Sequence, residues 1–374
     1  MTSRRQLLQA LGALPLLGAC AAGAPASLAN FTPSGVPLRR VNVSDERVIR
    51  TIAGLRPFRR NGFNVSAEKR GAKTLIHNYG HGGGGISLSW GTSSLAVELA
   101  GVGNRRNCAV IGAGVMGLTT ARLAQDRGWN VTIYSKDLPP DTTSNVAGGQ
   151  WSPTSTYDTE LVTPAFRQQF DRAMAIAYRY FQNLVGPRYG VRWISNYNFS
   201  SDSPEEEDFQ RRYADFYPQL RDLGPGDHPF PVPFTRHYDT MLIEPAVFLP
   251  AVMADFFGAG GRIDIREFAG AEEILALEED VIFNCTGLGS HALFGDEMLM
   301  PVKGQLTFLL PQEEVEFNII GNGGLYMFPR SDGILLGGTY ERGEWSLEPD
   351  PEASRRIIDG HRAFFEAMDD PWSA

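Results

Sequence analysis

The most legible pattern of apolar and polar positions lies between residues 107 and 135. Cys108-Ala109-Val110-Ile111 is a short unbroken apolar run, read as a strand. Leu118, Ala121, Leu123 and Ala124 recur at helical spacing, and Gly128-Trp129-Asn130 stops that helix. Val131-Thr132-Ile133-Tyr134 opens a second strand, and Val281-Ile282-Phe283-Asn284 reads as another, ending in a glycine turn. Further helices are predicted over 86–99, 165–184, 245–257 and 357–368. The second of these carries Phe166, Phe170, Met174, Ala177 and Phe181 on one face, and the third starts on Pro245. Arg192–Ile194 and Tyr197–Phe199 read as two short strands, and 203–222 as an acidic, aromatic surface helix with loops. From Thr154 to Thr235 and from Lys303 to Trp345, strands and turns mix without β–α alternation. The chain is therefore read as α/β, with a dinucleotide-type domain and a mixed α+β domain, each interrupted in sequence.

Gly112-Ala113-Gly114-Val115-Met116-Gly117 joins the first strand to its helix, which is the context that gives a G-x-G-x-x-G string weight. The first glycine permits the tight turn, the second lets backbone approach a pyrophosphate, and the third lets helix and strand pack closely. The helix N-terminus then offers amides and a positive dipole end to phosphate. An acid is expected about 20 residues on, to hold a ribose hydroxyl. Asp137 meets this loosely, with Lys136 standing where the acid would be. After the second strand, Asp141 to Trp151 supplies hydroxyls at Thr142, Thr143 and Ser144, then bare backbone at Gly148 and Gly149. Such a loop can wrap a diphosphate and lie against a flat ring.

Length and charge narrow the class. At roughly 150 residues per domain, 374 residues suggest about two domains. With 43% hydrophobic and 21% charged residues the chain is not a disordered one. A net charge of −9 gives no sign of a nucleic-acid binder. Residues 1–30 read as an export signal: Arg4-Arg5 precede a mostly apolar stretch to Ala19 that is too short to span a bilayer. The paired arginines have the twin-arginine form, which carries folded proteins. Leu17-Gly18-Ala19-Cys20 resembles a lipoprotein cleavage box, which would attach a lipidated Cys20 to the membrane; the alternative is cleavage nearer residues 24–29. Periplasm or envelope is the expected location. Cys108 and Cys285 sit inside strand patterns as buried, unpaired hydrophobes. No Cys/His spacing suggests a metal, so none is expected.

Six strings together resemble the motifs of the D-amino-acid oxidase family: TTSNVAGGQW, VIFNCTG, LYMFPR, LGGTYERGEW, GLRPFR and HNYGHGGGG. That family comprises FAD enzymes of the glutathione-reductase-like flavoprotein class. The resemblance covers nearly everything from Val41 to the last helix, with one departure. In the family the last two strings lie at the C-terminal end, whereas here Gly54–Pro57 and His77–Gly85 precede the fingerprint, so the order is circularly permuted. Joining the old ends is physically reasonable, because the eight residues from Ala100 to Asn107 reach roughly 27 Å and domain termini often lie close together. The implied layout is an FAD-binding domain over 41–153 (a permuted segment 41–100 plus the fingerprint part 107–153), continued over 236–302. The substrate domain would take 154–235 and 303–374.

The resemblance implies roles. Arg56 grips the substrate carboxylate, where a guanidinium fork fixes orientation, and Tyr326 hydrogen-bonds the same group. A second family tyrosine is replaced by Asn322. Gly83 brings backbone onto the flavin ring, within a loop of Gly82, Gly85, Ile86 and Ser87 whose helix start faces the flavin. The FAD set is completed by the fingerprint residues, Asp137, Thr142, Thr143, Ser144, Gly148, Gly149, Gln150, Ile265, Thr286 and Gly287. Arg59 and Arg60 are expected to be solvated, and His77 and His81 not to act as acid or base. Arg330 and Arg342 are candidate cations for an acidic side chain. The implied activity is oxidation of D-amino acids to 2-oxo acids by hydride transfer to FAD, with molecular oxygen giving hydrogen peroxide and ammonia released. Alternatives are an envelope dehydrogenase passing electrons to quinone, a flavin-fold lipoprotein that binds amino acids without turnover, and an NAD-binding protein.

Overall fold

A computed structural model describes residues 35, 37–101, 107–204, 208–321 and 323–369. The export segment 1–30, Cys20 and Asn322 lie outside the described residues. The strands of the first half are β1 (Val48–Arg59), β2 (Asn64–Arg70), β3 (Lys73–Tyr79), β4 (Asn107–Ile111), β5 (Asn130–Ser135) and β6 (Val191–Ser200). Those of the second half are β7 (Arg221–Leu223), β8 (Phe234–Ile243), β9 (Arg262–Ile265), β10 (Val281–Asn284), β11 (Leu299–Leu309), β12 (Phe317–Gly321), β13 (Leu325–Arg330), β14 (Gly333–Gly337) and β15 (Glu341–Arg342). The helices are α1 (Gly85–Leu99), α2 (Val115–Asp126), α3 (Pro164–Asn183), α4 (Phe209–Arg212), α5 (Pro245–Gly258), α6 (Ala271–Leu275), α7 (Gly289–Phe294) and α8 (Pro351–Glu366).

Two sheets result. The six-stranded one runs β2-β3-β10-β4-β5-β9 and is parallel except for the β2–β3 edge pair. Its two central strands, β10 and β4, are apolar but for Asn284 and Asn107, because both faces are covered. Val110 and Phe283 join the core under α1 and α2, while Leu75, Ala109, Ile111 and Ile282 pack against Ile274 of α6 on the other side. The nine-stranded sheet runs β1-β11-β14-β13-β12-β6-β8-β7, with β15 paired to β11, and is antiparallel apart from β6–β12. Helix α8 covers one face of it, with Ile357, Phe364 and Phe365 meeting Met327 and Leu336.

Sheet membership corrects the domain boundaries expected from chain order. β1 pairs along its whole length with β11, so 48–59 belongs with the nine-stranded sheet and only β2, β3 and α1 of the segment 41–100 join the six-stranded sheet. β8 pairs with β6, and β11 begins at Leu299, so 236–243 and 299–302 also leave the FAD-binding part. Helix α3 moves the other way. Its apolar face (Phe166, Phe170, Ala173, Met174, Phe181) merges with the core of α1 and α2. For the strands, hydrogen-bond partners distant in sequence decide, and for α3 the packing of its apolar face. The two short strands expected at 192–199 are one strand, because Ser195 and Asn196 find partners across the sheet. Ser195 Oγ donates to Asp239 at 3.0 Å, and Asn196 Oδ1 accepts from Gln150 at 2.7 Å. Among the described residues of 203–222, the expected surface helix is reduced to α4 and a 3₁₀ turn, since Tyr217 is buried against Trp151 and Tyr238.

Candidate active site

The carboxyl ends of β4, β5 and β10 and the middle of β1 and β11 converge on one cavity of about 680 Å³, a size usual for cofactor and ligand sites. The β4–α2 turn lines one end of it. Gly112 stands at φ 106°, and a side chain there would meet the carbonyl oxygen of Cys285, just past β10, at 2.6 Å. A Cβ on Gly117 would lie 1.8 Å from the Gly112 carbonyl oxygen. Gly112 and Gly117 are thus steric requirements of the turn. Ser144 Oγ accepts from Val115 N at 2.9 Å, which brings the Thr142–Ser144 loop onto the N-terminus of α2. Ser135 closes the end of β5, accepting from Ala113 N at 3.1 Å and donating to the Asp137 carbonyl at 2.7 Å.

The opposite end is built from side chains. Arg56 Nη2 donates to Tyr326 Oη at 3.1 Å, while Arg56 Nη1 is buried without a partner. Two glycines make the room. A Cβ on Gly304 would sit 2.3 Å from Arg56 Nη1, and one on Gly337 would sit 2.0 Å from Tyr326 Cζ. A second link fixes the entry to the Gly82–Gly85 loop: Asp296 accepts from Arg59 Nε at 2.7 Å and from Tyr79 Oη at 2.8 Å. Burial alone would raise the Asp296 carboxyl, but these bonds hold it below its ordinary value. Burial pushes the Tyr79 hydroxyl up to about 12. It also pushes His81 down to about 3, with the ring stacked on Phe63 at 5.1 Å, so that imidazole is neutral. His77 is lowered chiefly by burial and is held between Asn284 and Glu68.

Of the expected site residues, Arg56, Tyr326, Gly82, Gly83, Gly85, Ile86, Gly112, Ala113, Gly114, Val115, Met116, Asp137, Thr142, Thr143, Ser144, Gly148, Thr286 and Gly287 all border this cavity. The others do not line it. Gly117 serves packing, as above. Gly149 passes beneath Ile243, whose carbonyl a Cβ would meet at 2.1 Å. Gln150 turns to Asn196, and Ser87 ties α1 to the neighbouring loop, donating to the Gln150 carbonyl and accepting from Ser152 N. Ile265, the last residue of edge strand β9, is 61% exposed. Arg59 and Arg60 are not free cations: Arg59 pairs with Asp296 and Arg60 with Asp158. Arg330 is buried, bound to Asp332 and the Ala147 carbonyl, and Arg342 is bound to Asp158. Neither presents an unpaired guanidinium. Sequence reasoning missed Ser135, Gly304 and Gly337. Only the last has a signal, the LGG string.

A glycine-cradled helix start at the end of a largely parallel sheet, opening on a cavity walled by an antiparallel sheet, defines a dinucleotide-cofactor oxidoreductase. Residues 107–373 match the FAD dependent oxidoreductase family, and the chain belongs to it. It is 34% identical over 256 residues to the D-aspartate oxidase of Homo sapiens, covering 67% of this chain and 73% of that one. It is 30% identical over 264 residues to a D-amino-acid oxidase of Rubrobacter xylanophilus, covering 67% and 74%. The fold is similar to that of glycine oxidase from Geobacillus kaustophilus, with a TM-score of 0.51 at 16% identity, over 70% of this chain and 78% of that one. FAD is the cofactor, and the residues present suit it. Ser135, Asp137 and Arg266 line the same cavity as the fingerprint and Arg56, and the glycines Gly82, Gly83, Gly85, Gly112, Gly114 and Gly148 leave backbone bare along it.

Proposed function

We propose that this protein is an exported FAD oxidase of D-amino acids, yielding a 2-oxo acid, ammonia and hydrogen peroxide. The observation that carries the reading is the pairing of Arg56, with its unpartnered Nη1, and Tyr326 in the same cavity as the glycine fingerprint. A guanidinium fork and a phenol side by side suit an α-carboxylate. Anchored there, a substrate is fixed by its carboxylate and presents its α-carbon toward the Gly82–Gly85 side. Pro57 and Leu306 beside the pair help exclude water. When bound, the flavin supplies the two-electron acceptor for the α-hydride and gives the electrons to oxygen. The α1 N-terminus places a positive dipole end behind the glycine loop, which favours negative charge there. No side chain is needed to remove a proton from carbon. The amine must be neutral, and a buried His81 held near 3 is a poor base at neutral pH. Hydrolysis of the resulting imino acid by water releases ammonia.

The motif order is a circular permutation of the family's arrangement. In support, the family match begins at Asn107, while β1, β3 and α1, which precede it, supply Arg56 and the glycine loop to the same cavity. Anaerobic mixing with a panel of D- and L-amino acids tests the activity. Bleaching of the flavin by D-enantiomers is expected; a perturbed spectrum without bleaching would make this a binding protein. Stopped-flow reoxidation by oxygen then separates an oxidase from a quinone-linked dehydrogenase. Export through the twin-arginine route, with lipid on Cys20, predicts a mature N-terminus at that cysteine by mass spectrometry; one at Met1 would refute it.

A further inference from the structure

We propose that Asp158 is a positioning residue, the knot that holds the outer wall of the glycine loop against the strand carrying Arg56; this rests on the oxidase reading above. The wall is the segment 153–156. Its Ser155 has φ 55°, a left-handed conformation that a serine adopts only where its surroundings compel it. The reward is a close fit. The Ser155 carbonyl accepts the Gly83 N–H at 3.0 Å, and a Cβ on Gly82 would come within 2.4 Å of that same oxygen. A Cβ on Gly84 would come 2.5 Å from Thr156 Cγ2. The glycine loop and this segment are therefore shaped to each other without clearance.

Asp158 fastens the segment. Its N–H donates to the Arg60 carbonyl at 2.7 Å, and its carboxylate accepts from Arg60 Nε at 3.0 Å and from Arg342 at 2.9 and 3.3 Å. The carboxylate side chain is 8% exposed, whereas those of the two arginines are 44% and 45% exposed. One buried anion thus gathers two half-exposed cations from different elements. Arg60 directly follows β1, four residues after Arg56. Arg342 on β15 lies over the Phe58 ring at 4.7 Å, and it shares the Tyr340 ring with Arg56, at 5.8 and 5.9 Å respectively. Losing the anion frees the wall of the glycine loop and the support of the Arg56 strand together. Asp158 is not among the cavity-lining residues, so it acts through these neighbours.

The test compares wild type with Asp158→Asn, Asp158→Glu and Arg342→Gln, all as FAD-loaded full-length protein. Three readouts apply: the anaerobic reduction rate per bound flavin with the best D-amino acid, the shape of the visible flavin absorbance, and the flavin midpoint potential. For Asp158→Asn the expected results are a fall of roughly tenfold in rate per flavin, an altered absorbance band and a more negative potential. Arg342→Gln should shift all three the same way, and Asp158→Glu should recover part. Unchanged rate per flavin, spectrum and potential in the flavin-containing fraction of the two charge-removing variants would overturn the proposal, leaving Asp158 merely structural. If Asp158→Asn does not fold, Arg342→Gln decides alone, since its side chain is half exposed. If no D-amino acid reduces the wild type, the oxidase reading fails, while spectrum and potential still judge the positioning role.

Discussion

The two ends of the cavity are built by different means. At the fingerprint end, the cofactor sheet presents backbone: Gly112, Gly114 and the Gly82–Gly85 loop line the cavity without side chains, and Gly117 lets the turn that carries them close. At the far end, the antiparallel sheet presents the side chains of Arg56 and Tyr326, and its glycines, Gly304 and Gly337, exist to make room for them. A cofactor bound by every molecule of the enzyme can be held by fixed amides and dipoles. A substrate that must be recognised and released is better met by a directional fork on a strand. The difference predicts that added atoms damage the first end and removed atoms damage the second.

The largest effect expected is that of Gly117→Val. The new Cβ would meet the Gly112 carbonyl oxygen at 1.8 Å, and neither partner is a flexible chain end. The cost should reach or exceed the ~3 kcal/mol upper range of overpacking. Flavin absorbance of the purified protein should be lost; full occupancy would break the backbone half of the comparison.

Acid should strike both halves through buried neutral histidines. His361 on α8 is flanked by the Ile357 and Tyr326 carbonyls at 2.8 and 3.1 Å, both of which favour protonation, yet burial outweighs them and pushes it down to about 4. Because the folded value is depressed below the ordinary 6.5, its stabilisation is present above pH 6.5 and lost as pH falls toward 4. The loss amounts to about 3 kcal/mol. His81, pushed down to about 3, adds to the same slope from the cofactor side. Urea unfolding at pH 7 and pH 4.5 should show the decline, and His361→Gln should flatten part of it. An unchanged slope would mean that His361 is protonated in the fold.

Arg56→Ala should leave FAD bound and weaken substrate. A charge-assisted contact to a carboxylate is worth roughly 1.5–3 kcal/mol, so apparent affinity should fall about 10- to 150-fold. Turnover should fall as well, and Arg56→Lys should restore only part. Loss of flavin instead would make the arginine structural. Gly337→Ala crosses the two halves, because here a glycine substitution should spare FAD. A methyl 2.0 Å from Tyr326 Cζ displaces the ring and breaks its contact with Arg56. One hydrogen bond of about 1–1.5 kcal/mol gives a KM increase near tenfold, with unchanged flavin content.

The same contrast governs what could be read from sequence. The fingerprint was legible because its reason is local: strand, turn and helix follow one another within 30 residues, and the turn dictates its own glycines. Arg56 and Tyr326 were legible through the family resemblance, since nothing local distinguishes a functional arginine. Gly304 was not legible at all, because it serves a side chain across the β1–β11 pairing, 248 positions away. Asp158 joins Arg60 and Arg342 in the same non-local way, and β1 joins the nine-stranded sheet through a partner strand likewise distant in sequence.

The smallest effect expected is that of Ile265→Ala. Ile265 was expected at the cofactor, yet it ends edge strand β9 with its side chain 61% exposed and outside the cavity lining. What this position contributes is backbone. It pairs with Ser135, and the next residue, Arg266, donates its N–H to the Ser135 carbonyl at 3.0 Å. Ser135 in turn holds the Ala113 amide of the fingerprint. Alanine keeps every one of these bonds, and an exposed truncation changes stability by no more than about 0.5 kcal/mol. The FAD dissociation constant, read from flavin fluorescence on dilution, should then stay within about twofold of wild type. A tenfold weakening would mean that the isoleucine side chain folds over the bound cofactor. It would also mean that the cofactor end depends on side chains after all, which is the point on which the contrast between the two ends stands.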